Sequence, residues 1–201
     1  MQTKTYSSLF SLIKALSGVN EFTSEENGYI LSFVNRRADE AYDSSQMWPR
    51  YLVVGEERTI DSDNVVAYTQ SSKNDIAEFI RIHRTQPFDR KSVIEYDYYV
   101  TSSGAHILNI EGSDNTSVYV TYKKKLDDIT EGSTIPLEFF YFIAHAAYAD
   151  FLRMDGQTEK AVLEENVARN YLDLELGKLD NIANNNSINK KISTYVNRQS
   201  R

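Results

Sequence analysis

The side chains best able to do chemistry are scattered along the chain. His83, His106 and His145 could act as general bases or metal ligands, but none sits at ligand spacing such as HExxH. The carboxylate pairs Asp127-Asp128 and Glu164-Glu165 fall in a turn and on a helix surface. Adjacent helical residues do not face one site, so these make poor acid/base dyads. A hydrolase built on His145 with Glu138 would lack a placed nucleophile. Only 8 glycines are present, none in a phosphate-cradling GxxxxGK or GxGxxG run, and no GxSxG nucleophile turn occurs. There is no cysteine, which excludes disulfides and thiolate metal sites and is compatible with a reducing compartment. No catalytic activity, metal or cofactor is expected. Fourteen tyrosines could stack on sugars or bases. The clusters Tyr96-Tyr98-Tyr99 and Tyr119-Tyr122 suit ordinary cross-strand packing equally well.

The residues with more to say lie in FVNRRADEAYDSSQMWPRYL, Phe33 to Leu52. On a helix, Arg36 falls among Asp39, Glu40 and Asp43, a solvated face with weak i,i+3 and i,i+4 pairs. Arg37 falls at the edge of the apolar stripe beside Phe33. It can lie over the core rim and reach a carboxylate, or contact a neighbouring subunit. Trp48, the only tryptophan, stands where the helix gives way to strands. It can plug the gap between two units or stack on a ligand, and a lone aromatic has no ligand-specific geometry.

The elements that must position these residues follow from periodicity. A first helix is predicted near Tyr6 to Ser17, with Thr5 as cap and Gly18 as stop. A second begins at Thr23, which forms a capping box with Glu26, and ends before Pro49. From Arg50 to about Lys123 the period shifts toward two. YLVV, NVVAY, IAEFIRIHR, VIEYDYYV, AHILNI and SVYVTY read as an antiparallel meander. In VIEYDYYV, Ile94, Tyr96, Tyr98 and Val100 share one face. Lys123-Lys124-Lys125 suits an edge guard. Helices then resume. Thr134 can cap a third with Pro136 in its first turn; Phe139, Phe140, Tyr141, Phe142, Ile143, Tyr148, Phe151 and Leu152 wrap most of its surface, so it is central and buried. His145 there is read as a buried histidine bonded to a tyrosine or carboxylate. A fourth helix, Thr158 to Leu179, carries two apolar stripes. One is Leu163, Val167, Tyr171 and Leu174; the other is Ala161, Ala168, Leu172, Leu176 and Leu179. A helix in a lone bundle needs one apolar face, so the second must be covered by the strand module or by another copy.

The expected fold class is α+β. Two N-terminal and two C-terminal helices form a four-helix bundle (1–49 and 133–180), with an inserted antiparallel β-sandwich or barrel-like module (50–132) and an extended, Asn-rich C-terminal arm (181–201). With 41% apolar and 25% charged residues, the composition is that of a globular chain. The net charge of −7 argues against coating nucleic acid, where affinity comes from neutralising phosphates. The N-terminus lacks the apolar core of a signal peptide. The window Ile135 to Leu152 is too short and too often charged for a bilayer span, so no membrane association is expected.

Three segments resemble the head-to-tail adaptor (neck, or connector) proteins of tailed bacteriophages. They are FVNRRADEAY with its following WP; VYVTYKKKLDDIT leading into IPLEFFYFIAHAAYADFLRMDGQTEKA; and EKAVLEENVARNYLDLEL. Together they cover a third to a half of the chain, and none is a catalytic signature. The resemblance implies a structural virion protein of the neck region, made in the host cytoplasm. It implies a homo-oligomeric ring, typically of twelve copies, docked beneath the portal protein and followed by a tail or neck protein. DNA would pass through the lumen without sequence-specific binding, which the acidic balance suits. It also implies a C-terminal arm embracing the portal, here with Ile188, Ile192, Tyr195, Val196 and Arg198 as its contacts. Arg37, Trp48, Leu163, Val167, Tyr171 and Leu174 are the inter-subunit candidates. The alternative reading is a soluble ligand- or glycan-binding scaffold module that uses the Tyr-rich sheet.

Overall fold

The computed structural model describes residues 2–87, 94–108, 110 and 117–199, with side chains to residue 179. Among them are four helices and eight strands, in an α+β chain that divides into two compact units. One comprises Met1–Ser45 and Asp128–Arg201, the other Gln46–Asp127.

In the first unit the helix ends follow local side-chain chemistry. Helix α1 (Tyr6–Ser17) starts where the Thr5 hydroxyl accepts the Ser8 N–H at 3.2 Å. It stops where Gly18 takes the left-handed conformation, φ 70°. Helix α2 (Ser24–Asp43) opens on the capping box: the Thr23 hydroxyl accepts from the Glu26 N–H, and the Glu26 carboxylate accepts from the Thr23 N–H at 2.7 Å. Thr23→Ala is expected to cost about 1 kcal/mol, read as a shift of the urea midpoint at constant slope.

Helix α3 (Leu137–Met154) begins differently from the expectation. Thr134 does not cap it, and Pro136 does not lie in its first turn. Instead Thr134–Pro136 form a short strand, β8, paired antiparallel with β1 (Thr3–Thr5) in the register Lys4↔Ile135. Pro136 takes the N-cap position without a side-chain cap bond. The reason is local, because a residue before proline is biased toward extended backbone and Ile135 is fully buried in that conformation. Helix α3 packs against α1, α2 and α4 (Thr158–Gln199). Its four alanines and Phe139, Phe140, Phe142, Ile143 and Leu152 are buried. The turn into α4 uses Gly156 at φ 76°.

Helix α4 runs to Gln199, where an extended arm was expected from residue 181. Asn184 to Asn186 are poor helix formers, but lengthening an existing helix does not meet the cost of nucleation, and no proline interrupts the stretch.

The second unit holds two antiparallel sheets. One has the order β2-β7-β4, with β2 (Leu52–Thr59), β4 (Ile76–His83) and β7 (Ser117–Lys124). The other has the order β3-β6-β5, with β3 (Val65–Ala67), β5 (Tyr98–Val100) and β6 (Gly104–Ile107). This is not a meander, since β7, last in sequence, lies between β2 and β4. The two ladders are separate, and no closed barrel forms among the described residues. Both sheets contribute to one core: Ile76, Phe79, Ile82, Val118, Val120 and Tyr122 from the first, Val66, Ala105 and Ile107 from the second. Gly55, at φ 63°, sits inside the register shift between Val53 and Glu56. Lys123 is not an edge guard: β7 is the central strand and Lys123 is buried. In VIEYDYYV, Tyr96 and Tyr98 pack on the core, while Ile94 and Val100 are exposed.

Candidate functional site

Helix α4 presents two unlike faces. Ala161 and Ala168 have no exposed surface and Leu172 is 8% exposed, and α3 is the helix packed against α4. On another face, Leu163 is 66% exposed, Leu174 64%, and Val167 and Tyr171 37% each. These four recur at i, i+4, i+8 and i+11 and form one stripe. The edge of the stripe toward α3 is ordered. The Tyr171 ring stacks on Tyr141 and on His145, each with centroids 5.3 Å apart. His145 Nδ1 lies 2.8 Å from Glu164 Oε2, so the carboxylate expected beside this histidine comes from the neighbouring helix. The Lys4 ammonium donates to the Tyr141 hydroxyl at 3.1 Å and lies 4.4 Å from the Phe140 ring centre. Tyr141, on α3, is exposed as well. The arrangement is an exposed apolar stripe with an ordered aromatic edge.

The Asn-Arg-Arg triplet of α2 faces inward. The Asn35 amide donates to the Ile129 carbonyl at 3.0 Å, and its oxygen accepts the Ile129 N–H at 2.7 Å. Arg37 is buried, with a guanidinium that grips Asp150 in a two-pronged pair, Nε to Oδ2 at 2.8 Å and Nη2 to Oδ1 at 2.7 Å. A third donor reaches Glu40 at 2.5 Å. Arg37 thus uses these donors within its own chain, on Asp150 and Glu40. Arg36 does not pair with the i+3 or i+4 acids either. It is exposed, lies over the Phe33 ring, and reaches Asp150 Oδ2 at 2.5 Å. Arg153 also donates to Asp150, at 3.1 Å, and to Glu165, which Arg169 contacts too. Cations of α2 and α3 thus converge on one buried carboxylate, and Arg153 links it to Glu165 of α4. Burial alone would raise the Asp150 pKa, but hydrogen bonds from Arg37 and Arg36 hold it below the usual carboxylate value.

Trp48 is buried within its own chain, and its carbonyl accepts the N–H groups of Tyr51 and Leu52. The side chains of Ile188, Ile192, Tyr195, Val196 and Arg198 lie outside the described residues. The three histidines stand on β4, β6 and α3. Of the sheet tyrosines, Tyr122 is buried and Tyr98 half-buried, while Tyr99 is exposed and stacks on His106 with centroids 4.8 Å apart. No helix among the described residues is long and apolar enough to cross a membrane.

Two buried features were missed from the sequence. The Asp150 hub had one signal, a carboxylate in an otherwise apolar helix, which requires a cation. The other is Arg58 of β2, fully buried 4.8 Å from the Tyr122 ring centre, with Nη2 donating to the Tyr122 hydroxyl at 2.7 Å. The Tyr122 hydroxyl in turn donates to Glu56 at 2.8 Å. No protein-family model matches the chain, and no curated protein matches it.

Proposed function

We propose that this protein is a structural, ring-forming adaptor of a tailed-phage neck, standing between portal and tail components. The supporting observation is the exposed stripe Leu163, Val167, Tyr171 and Leu174, opposite the α4 face packed on α3. Large apolar residues aligned along a helix mark an interaction surface. The three-segment resemblance supplies the phage context. In this reading the helices form a four-helix bundle in the ring wall, the strands form a sandwich-like module, and the acidic balance suits a lumen through which DNA slides.

Sedimentation velocity tests the proposal. The wild-type chain is expected to form a closed oligomer that rises with concentration and binds a portal ring. The double substitution Leu163→Glu, Leu174→Glu is expected to sediment as a single 23.1 kDa chain with an unchanged circular dichroism spectrum, because both side chains are exposed in the single chain. A wild-type chain that stays at one copy at every concentration, and ignores the portal, would remove the reading.

A further inference from the structure

The last part of α4 has a destination of its own, argued on the premise that copies assemble through the exposed stripe. Helix α4 is 42 residues long, about 63 Å, whereas its packing partner α3 has 18 residues, about 27 Å. The two helices form a hairpin about Asp155 and Gly156, so α3 is matched in length by roughly residue 175. The two parts of α4 differ in charge. Residues 158–175 carry five carboxylates and two cations, while residues 178–199 carry four cations and one carboxylate. The first part bears the exposed stripe. In the second, Ile188, Ile192, Tyr195 and Val196 occupy i, i+4, i+7 and i+8, again the spacing of one helical face.

We infer that the basic end of α4 docks on the acidic, apolar stripe of α4 in a second copy. An unbroken helix cannot fold back on its own first half, so the donation passes between chains. Donor and acceptor are different surfaces, and on the ring premise the contact runs head-to-tail rather than being exchanged reciprocally within a pair. Such a contact propagates from copy to copy and ends as a ring when the rotation closes. The last residues then belong to the ring itself rather than to the portal.

Two full-length variants separate the possibilities. Leu163→Glu with Leu174→Glu disables the acceptor, and Ile188→Asp with Ile192→Asp disables the donor. Each variant alone is expected to sediment as one chain, with self-association weakened about 100-fold or more. An equimolar mixture is expected to give a two-chain species, because one variant keeps the donor and the other the acceptor. Raising the salt should weaken that species. Circular dichroism spectra matching the wild type, with cooperative melts, show that both variants are folded. A donor variant that still forms the wild-type oligomer overturns the inference and leaves the adaptor reading standing. So does a donor variant that assembles normally but no longer binds a portal, which would send the segment to the portal. A mixture that remains single chains excludes the head-to-tail contact. A wild-type chain that never associates removes the adaptor reading as well.

Discussion

Asp150→Ala is expected to destabilise the helical unit by about 3–5 kcal/mol, since removing one partner of a buried ion pair strands the other charge. Arg37 is 8% exposed and gives two of its donors to this carboxylate. Glu40, the remaining acceptor of Arg37, has a half-exposed side chain and cannot replace the lost geometry. Arg37→Met is expected to cost less, because Asp150 would keep Arg36 and Arg153. The double variant Asp150→Ala, Arg37→Met should be less destabilised than the sum of the two, the signature of a shared interaction. Urea titration followed by helical circular dichroism reads all three. A loss below about 1 kcal/mol for Asp150→Ala would show that the hub is dispensable.

The same carboxylate sets an acid limb. Its pKa when folded lies below the ordinary 3.8. The stabilisation it gives is thus complete above the unfolded-state value and is lost as pH falls through the folded one. Glu165 is held down in the same direction, first by its hydrogen bond from Arg153. The wild-type stability curve should therefore fall below about pH 4, and in Asp150→Asn that fall should be shallower.

Gly104→Ala is the second large effect, expected at about 3 kcal/mol or more. Gly104 adopts φ 148°, and a Cβ there would lie 2.1 Å from the Val66 carbonyl oxygen and 2.8 Å from its carbon. Both are backbone atoms of β3, so no rotamer change relieves the clash. Gly104 also exchanges backbone hydrogen bonds with Thr101 and pairs with Ala67. The damage should appear as lost pairing of β3 with β6. Trp48, the only tryptophan and a member of this unit, makes its unfolding visible by fluorescence. Gly132→Ala is the control, since nothing lies within 4 Å of its Cβ position. If Gly104→Ala matched that control, the strain argument would fail.

What could be read in advance was what neighbouring residues decide among themselves. Thr5, Gly18 and the Thr23–Glu26 box end helices through contacts three or four residues apart, and each did so where expected. The two stripes of α4 were legible for the same reason, since periodicity is a local property. What escaped was decided across distance. Nothing in SVYVTY says that it lies between β2 and β4, and β1 and β8 are too short to show a period. Lys123 looked like an edge because its burial depends on that strand order. Arg37 could be placed at the core rim by a helical wheel, but the choice between a neighbouring copy and Asp150 needed α3 in place. Both arginines of α2 reach α3 through Asp150, while the exposed apolar stripe lies on α4.

The position of α3 in the chain has a consequence for synthesis. Helices α1 and α2 emerge from the ribosome long before the element they pack on, and all the strands of Gln46–Asp127 come between. That inserted stretch has its full set of pairing partners as soon as residue 127 is free. The helical unit, by contrast, must hold Leu9, Ile13, Ile30 and Val34 uncovered until α3 is made. Translation order therefore favours maturation of the strand unit first, with the helices closing around α3 only as the final stretch of chain is released.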